Sequence, residues 1–253
     1  MSNASPAPTN EADLAALRAE IDTLDDAMHD LLMRRVDVVA RLAASGAKGN
    51  APAIRPGREA LIIRRLLSRH AGPLPRASLL RLWREMLAAT ASLQAPVAVA
   101  AWADDGQLDV LRAHLGHAAV VTRCADDASA LAVAGTDAEM LVALPPGGRW
   151  WRVHLPSRLH VAARLPFLGA GPTIFLLSPN APDASGDDRS LVRLPARAMP
   201  QLAASGLPAT ELSRTDDLVL AELPGVVSAG DARLAALGGT VLGFYATPVP
   251  DQG

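Results

Sequence analysis

DLAALRAEIDTLDDAMHDLLMRRVDVVARLAA, residues 13–44, decides how the N-terminal half is read. Numbered as a heptad from Leu14, it places Leu14, Ile21, Met28 and Leu42 at one seam position and Leu17, Leu24, Leu31 and Val38 at the other. The period predicts one helix of about 30 residues and some 45 Å by helical rise, ending in the breakers Ser45–Gly46 and Gly49–Asn50. A helix of that length with an apolar seam packs along a bundle or against a partner chain. Arg35 fills a slot that the pattern assigns to an apolar residue. A bare guanidinium buried in a seam costs several kcal/mol, so it must be paired or face a cavity that holds an anion.

Upstream of this helix, residues 1–10 lack periodicity and read as a disordered lead-in. Downstream, Pro56 suits a helix first turn, and a second helix is expected from about Pro56 to His70 with Leu61, Ile62, Leu66 and Leu67 inward. A third, from about Pro75 to Leu93, carries the stripe Leu79, Leu82, Trp83, Met86 and Leu87, which Thr90 and Gln94 prolong as polar members of the same face. Residues 11–95 therefore read as an all-α unit with a polar pocket.

After Ala95-Pro96 the texture changes. Short β-type runs, VAVAAW (97–102), AVVTRC (119–124) and MLVALP (140–145), alternate with helical patches, which predicts a reduced α/β region over 96–178. Residues 146–171 resist assignment, because Gly147, Gly148, Trp150, Trp151 and several prolines break every period. Over 189–248, SLVRLP (190–195), a helix at Met199–Ser205, Pro208–Leu212, LVLAEL (218–223), a helix at Ala229–Leu237 and VLGFYA (241–246) give a β-α-β-β-α-β, ferredoxin-like order.

Composition narrows the function classes. Residues 11–95 hold thirteen basic and ten acidic side chains and 96–253 hold eleven and sixteen, so neither part suits nucleic acid. The single cysteine, Cys124, excludes an internal disulfide. No secretory signal and no uncharged apolar run of membrane-spanning length is present, and a cytoplasmic location is expected.

Arg18 and Arg35, 17 residues apart, are separated by about 25 Å along one helix. They reach one small ligand only if two chains run antiparallel; otherwise Arg18 is a flanking surface charge. Arg58 and Glu59 fall in the first turn of the second helix, where a glutamate also complements the helix dipole without any function. Thr90 and Gln94, four residues apart, also suit a plain hydrogen-bonded pair. Several cations, one carboxylate and two neutral hydrogen-bonding groups, with no nucleophile or metal cluster, suit a small dicarboxylate whose reaction separates charge without proton transfer.

LRAEIDTLDDAMHDLLMRR (17–35), RPGREA (55–60) and LWREMLAATASLQAP (82–96) resemble the three helices of an AroQ-class chorismate mutase, of the type fused to prephenate dehydratase in the bifunctional P-protein. The resemblance implies an intertwined helical homodimer, formed through the long N-terminal helix, that converts chorismate to prephenate with no cofactor or metal. It assigns Arg18 of one chain and Arg35 of the other to the substrate carboxylates, with Arg58 beside them. Glu59 falls to the ring hydroxyl, Thr90 to the small hydroxyl position and Gln94 to the ether oxygen. Family members carry a lysine where this chain has Gly46; Lys48, the only lysine, is the expected substitute.

The rest of the chain resembles a degenerate dehydratase. Ala103-Asp104-Asp105-Gly106 replaces a Gly-Pro loop, and within GPTIFLLSP (171–179) Ile174 stands in the place of a catalytic arginine, so dehydratase activity is not expected. ATELSR (209–214) and TVLGFYATP (240–248) resemble an ACT-like domain, with Arg197-Ala198-Met199 in place of its ligand loop. A partner enzyme or an aromatic amino acid is the expected visitor to this half. Two other readings share these features: an isochorismate pyruvate lyase on the same helical fold, and a non-catalytic regulatory or scaffold protein.

Overall fold

The computed structural model describes residues 11–45, 53–137 and 139–251. The chain divides into two compact units on either side of Ala51 and Pro52. To the described residues the first contributes one helix, α1 (Glu11–Ala44), with Glu11 and Asp13 in its first turn and Arg41 in its last, the arrangement the helix dipole favours. None of its residues is buried, and the eight apolar seam side chains are 39–64% exposed.

The second unit opens with α2 (Pro56–Arg69) and α3 (Arg76–Ser92). There follow β1 (Ala98–Ala101), α4 (Asp105–Leu115), β2 (Val120–Arg123), α5 (Asp127–Thr136), β3 (Leu141–Leu144), β4 (His160–Leu165) and β5 (Ile174–Ser178). The tail supplies β6 (Asp188–Pro195), α6 (Met199–Ala204), β7 (Thr210–Arg214), β8 (Leu218–Pro224), α7 (Ala232–Ala236) and β9 (Thr240–Ala246). Among the described residues nine strands form one mixed sheet in the order β2-β1-β3-β5-β4-β9-β6-β8-β7. An all-α description therefore fits only the N-terminal helices and fails for the chain as a whole. The tail keeps the expected β-α-β-β-α-β order, and β9-β6-β8-β7 are antiparallel throughout, the ferredoxin-like plan. That tail and the α/β region are continuous through β4 and β9, which pair at Val161 and Gly243. Gly243 has φ +146, and a Cβ there would run into the Val161 backbone, so only glycine lets the two strands meet.

The segment that resisted assignment holds a turn of 3-10 helix at Trp150–Arg152 and then β4. Trp150 and Trp151 are fully buried, and their indole N–H groups donate to the carbonyls of Pro145 (2.7 Å) and Pro146 (3.0 Å). An amphipathic ring buried with its polar edge satisfied anchors the turn more firmly than any periodicity would.

The inward faces of α2 and α3 agree with expectation at Leu67, Leu87 and Thr90, which are buried, and at Ile62, Leu79 and Trp83, which pack half-buried on the same cluster, and they differ elsewhere. The chain buries Gly57, Ala60, Ile63 and Leu67 of α2, and Arg84, Leu87, Thr90 and Ala91 of α3, while Leu61 and Leu82 are exposed. The reason is that α2 packs on β4 and β9 as well as on α3, so its small residues turn toward the sheet. Arg55 makes a two-pronged bond to Asp183 (2.8 and 3.0 Å). Arg64 donates to Ser185 and to the carbonyls of Asp187 and Thr247. Gly57 lies so close to the Asp183 carbonyl that any Cβ would overlap it.

Candidate active site

Glu59, in the first turn of α2, is bound by a residue that the sequence reading passed over. Its Oε2 accepts a 2.7 Å bond from Arg84 on α3, and the two side chains are 15% and 4% exposed. Among the described residues Oε1 has no partner, and its lone pairs remain open as acceptors. Arg84 also lies 5.5 Å from the centroid of the Phe167 ring, which Arg64 approaches to 5.7 Å. Burial lowers the pKa of Arg84, and the charge and hydrogen bond of Glu59 oppose that shift. A guanidinium survives such a shift as a cation, and as a cation it fixes the Glu59 carboxylate in place. The signal for Arg84 was in the sequence. It stands three residues before Leu87 and seven before Ala91, a cation on an apolar stripe, as Arg35 is on the first helix.

Thr90 lies six residues beyond Arg84, about 9 Å along α3. Its buried hydroxyl donates to the carbonyls of Met86 and Leu87, each at 3.0 Å, and keeps its lone pairs as acceptors. Gln94, just past the helix end, donates to the Thr90 carbonyl at 3.0 Å. The two side chains thus each bond the backbone of α3 rather than each other. Arg58 is exposed beside Glu59. Arg18 and Arg35 both lie on α1, in the other compact unit, and neither is fully buried. Lys48 and Gly46 lie outside the described residues.

In the C-terminal half, Ala103–Gly106 lead into α4. Asp104 and Gln107 form a capping box there, each side chain bonding the other's backbone N–H. Gln107 also donates to the Thr173 carbonyl (3.0 Å), and the neighbouring Ile174 is fully buried in β5. Arg197 and Ala198 lie in a 3-10 turn, and Met199 opens α6. A polar cleft holds Arg164 and Arg189 with the buried Glu222, which accepts from Arg164 (2.8 Å) and from the Tyr245 hydroxyl. Burial, reinforced by Glu222, pushes the Tyr245 phenol well above its ordinary range. The described residues contain no group of His, Cys, Asp and Glu side chains arranged to hold a metal, and no helix long and apolar enough to cross a membrane.

Comparison with known proteins finds a family model that matches the N-terminal part. Residues 17–95 match the family described as chorismate mutase type II. A bifunctional chorismate mutase/prephenate dehydratase of Stutzerimonas stutzeri is 34% identical over 119 residues, 44% of this chain and 33% of that protein. A 4-amino-4-deoxychorismate mutase of Streptomyces venezuelae is 37% identical over 54 residues, 21% of this chain and 52% of that protein. The solved prephenate dehydratase of Streptococcus mutans aligns with a TM-score of 0.44 at 13% identity, covering 60% of this chain and 99% of that one. The chain spans about a third of the length of the bifunctional relative.

Proposed function

We propose that the chorismate mutase type II domain at residues 17–95 makes this protein an isomerase that rearranges chorismate to prephenate. The observation that carries the reading is that the matched span contains Arg18, Arg35, Glu59, Thr90 and Gln94 in one segment, and that Glu59 is held by Arg84 with an oxygen to spare.

The reaction is unimolecular: an ether C–O bond breaks as a C–C bond forms, and negative charge gathers on the ether oxygen. No proton needs to move, so the protein's tasks are to hold the compact conformer and to meet that charge. Arg18 and Arg35 grip the two carboxylates as forked, charge-assisted pairs. Glu59 accepts from the ring hydroxyl, with Arg58 adding positive charge beside it. Gln94 donates toward the ether oxygen, with Thr90 supporting the same wall, and Lys48 supplies the cation that Gly46 cannot.

The working form in this reading is a dimer. A seam of eight exposed apolar side chains on α1 supports it, since each is still 39–64% exposed and gains about 0.6–2 kcal/mol when that remainder is buried. A second copy of α1, antiparallel, covers the seam and brings Arg18 of one chain to Arg35 of the other. The C-terminal half serves in this reading as an ACT-like platform without dehydratase chemistry, because Ile174 cannot replace an arginine.

The test is chorismate consumption by the purified protein and by Arg18→Ala, Arg35→Ala, Lys48→Ala and Glu59→Gln variants. Mixing the inactive Arg18→Ala and Arg35→Ala proteins gives dimers with one intact site, which restores about a quarter of the wild-type rate after random exchange. Wild-type protein no faster than the spontaneous rearrangement sinks the reading. The Streptomyces relative makes 4-amino-4-deoxychorismate the second substrate to compare, and salicylate from isochorismate would select the lyase instead.

A further inference from the structure

Between α3, α4 and the segment 166–168 lies a cavity of about 190 Å³ that the mutase reading leaves unused. Leu80, Val110 and Phe167 give it apolar walls, and Arg81, Arg84 and His114 bring nitrogen groups into the same lining. The Nε2 atom of His114 is buried with no hydrogen-bond partner. Burial first, and the Arg84 charge second, hold this imidazole well below its ordinary pKa, so it is neutral. A buried polar atom left unpaired costs free energy that a suitable ligand atom recovers. Arginine offers donors alone, and Arg84 uses one nitrogen on Glu59 while its other nitrogens have no partner among the described residues. With the His114 proton on Nε2, His114 and Arg84 are left with donors that lack acceptor oxygens, and the exposed Arg81 adds a further cation at the rim. The space equals about six waters' share of liquid, which suits a ligand of about six to nine non-hydrogen atoms.

We propose that this cavity binds a small carboxylate carrying an apolar body. Its oxygens accept from His114 and from Arg84 or Arg81, and its hydrocarbon part rests on Leu80, Val110 and Phe167. Asp251, at the same cavity, offers a partner for an amino group on the ligand. Because Arg84 also holds Glu59, occupancy competes for the group that positions Glu59. That effect on turnover rests on the mutase reading, whereas binding does not.

The experiment is calorimetric titration of the full chain with isocaproate, its neutral amide, and L-leucine, which adds an amino group to the same skeleton. Isocaproate is expected to bind saturably and the amide at least about tenfold more weakly. Ala77→Trp, placed at an exposed lining position, is expected to abolish binding without changing the thermal midpoint. His114→Leu is expected to weaken binding about tenfold, and His114→Gln, which keeps a donor, to restore part of it. Tighter binding of L-leucine supports the site with Asp251 as a contributor, and equal binding supports it with Asp251 idle. Equal affinity for acid and amide, an isotherm unchanged by Ala77→Trp, or no saturable heat with isocaproate overturns the proposal. Calorimetry reads binding without turnover, so a failed mutase assay and a failed titration remain separate results.

Discussion

Replacing Arg84 with methionine keeps an apolar stem against Phe167 and removes the charge that faces Glu59. The bond lost is charge-assisted, about 1.5–3 kcal/mol, and the cation–π contact adds about 0.5–1 kcal/mol. The larger effect is the carboxylate left behind. Removing one partner of a buried pair costs about 3–5 kcal/mol. Glu59 keeps 15% of its side-chain surface exposed, so water relieves part of that penalty and the expected loss sits at the lower end, about 3 kcal/mol. That is a large share of the roughly 5–15 kcal/mol by which domains are stable. The assay is urea unfolding at neutral pH of Arg84→Met, Glu59→Leu and the double variant. The double variant should recover most of the loss, because replacing a buried pair by apolar side chains is often neutral. A single-variant loss under about 1 kcal/mol, or a double variant no better than Arg84→Met, would refute the argument that burial makes this pair interdependent. Arg84→Met should also lower kcat with chorismate, since an untethered Glu59 samples orientations useless to the ring hydroxyl.

Tyr245 is the chain's sole tyrosine, so the near-ultraviolet phenolate band reports it alone. Its neutral form is favoured when folded, so its contribution is complete below about pH 10 and fades above; phenolate should appear together with unfolding, and a reversible titration at about pH 10 before unfolding would contradict its burial. Gly57→Ala gains about 0.5–1 kcal/mol of helix propensity, yet it must push back the Asp183 backbone, a clash of about 1–3 kcal/mol or more. Net destabilisation in chemical denaturation is therefore expected, and net stabilisation would mean that α2 does not rest on that loop. Leu24→Glu combined with Leu31→Glu should convert the proposed dimer to monomer in sedimentation velocity and abolish turnover with it; a wild-type chain that sediments as a monomer at all concentrations removes the shared site.

Local chemistry announced most of the elements. The heptad drew α1, and runs such as MLVALP and LVLAEL drew their strands. Strand β4 escaped because HVAARL carries His160 and Arg164 near its ends and sits between a double-tryptophan turn and Pro166, so no long apolar run marks it. The faces of α2 and α3 were misjudged at some positions for a different reason. Leu61 and Leu82 look inward if helices pack only on helices, and nothing near residue 60 says that Asp183 and Thr247 will arrive on the other side. Of the candidate site, Glu59 and Thr90 were readable by type and spacing. Arg84 was equally readable, since an arginine on an apolar stripe demands a partner wherever it occurs, but its partner lies 25 positions away in the chain.

The mooring of α2 to residues 183–187 and to Thr247 has a consequence for how such a chain can change over time. The helix that bears the Glu59 carboxylate takes its register from a stretch more than a hundred positions downstream. A C-terminal half in that role works as a jig. It can shed every reactive group of its own and still be retained, because deleting it would set the helix beside it adrift.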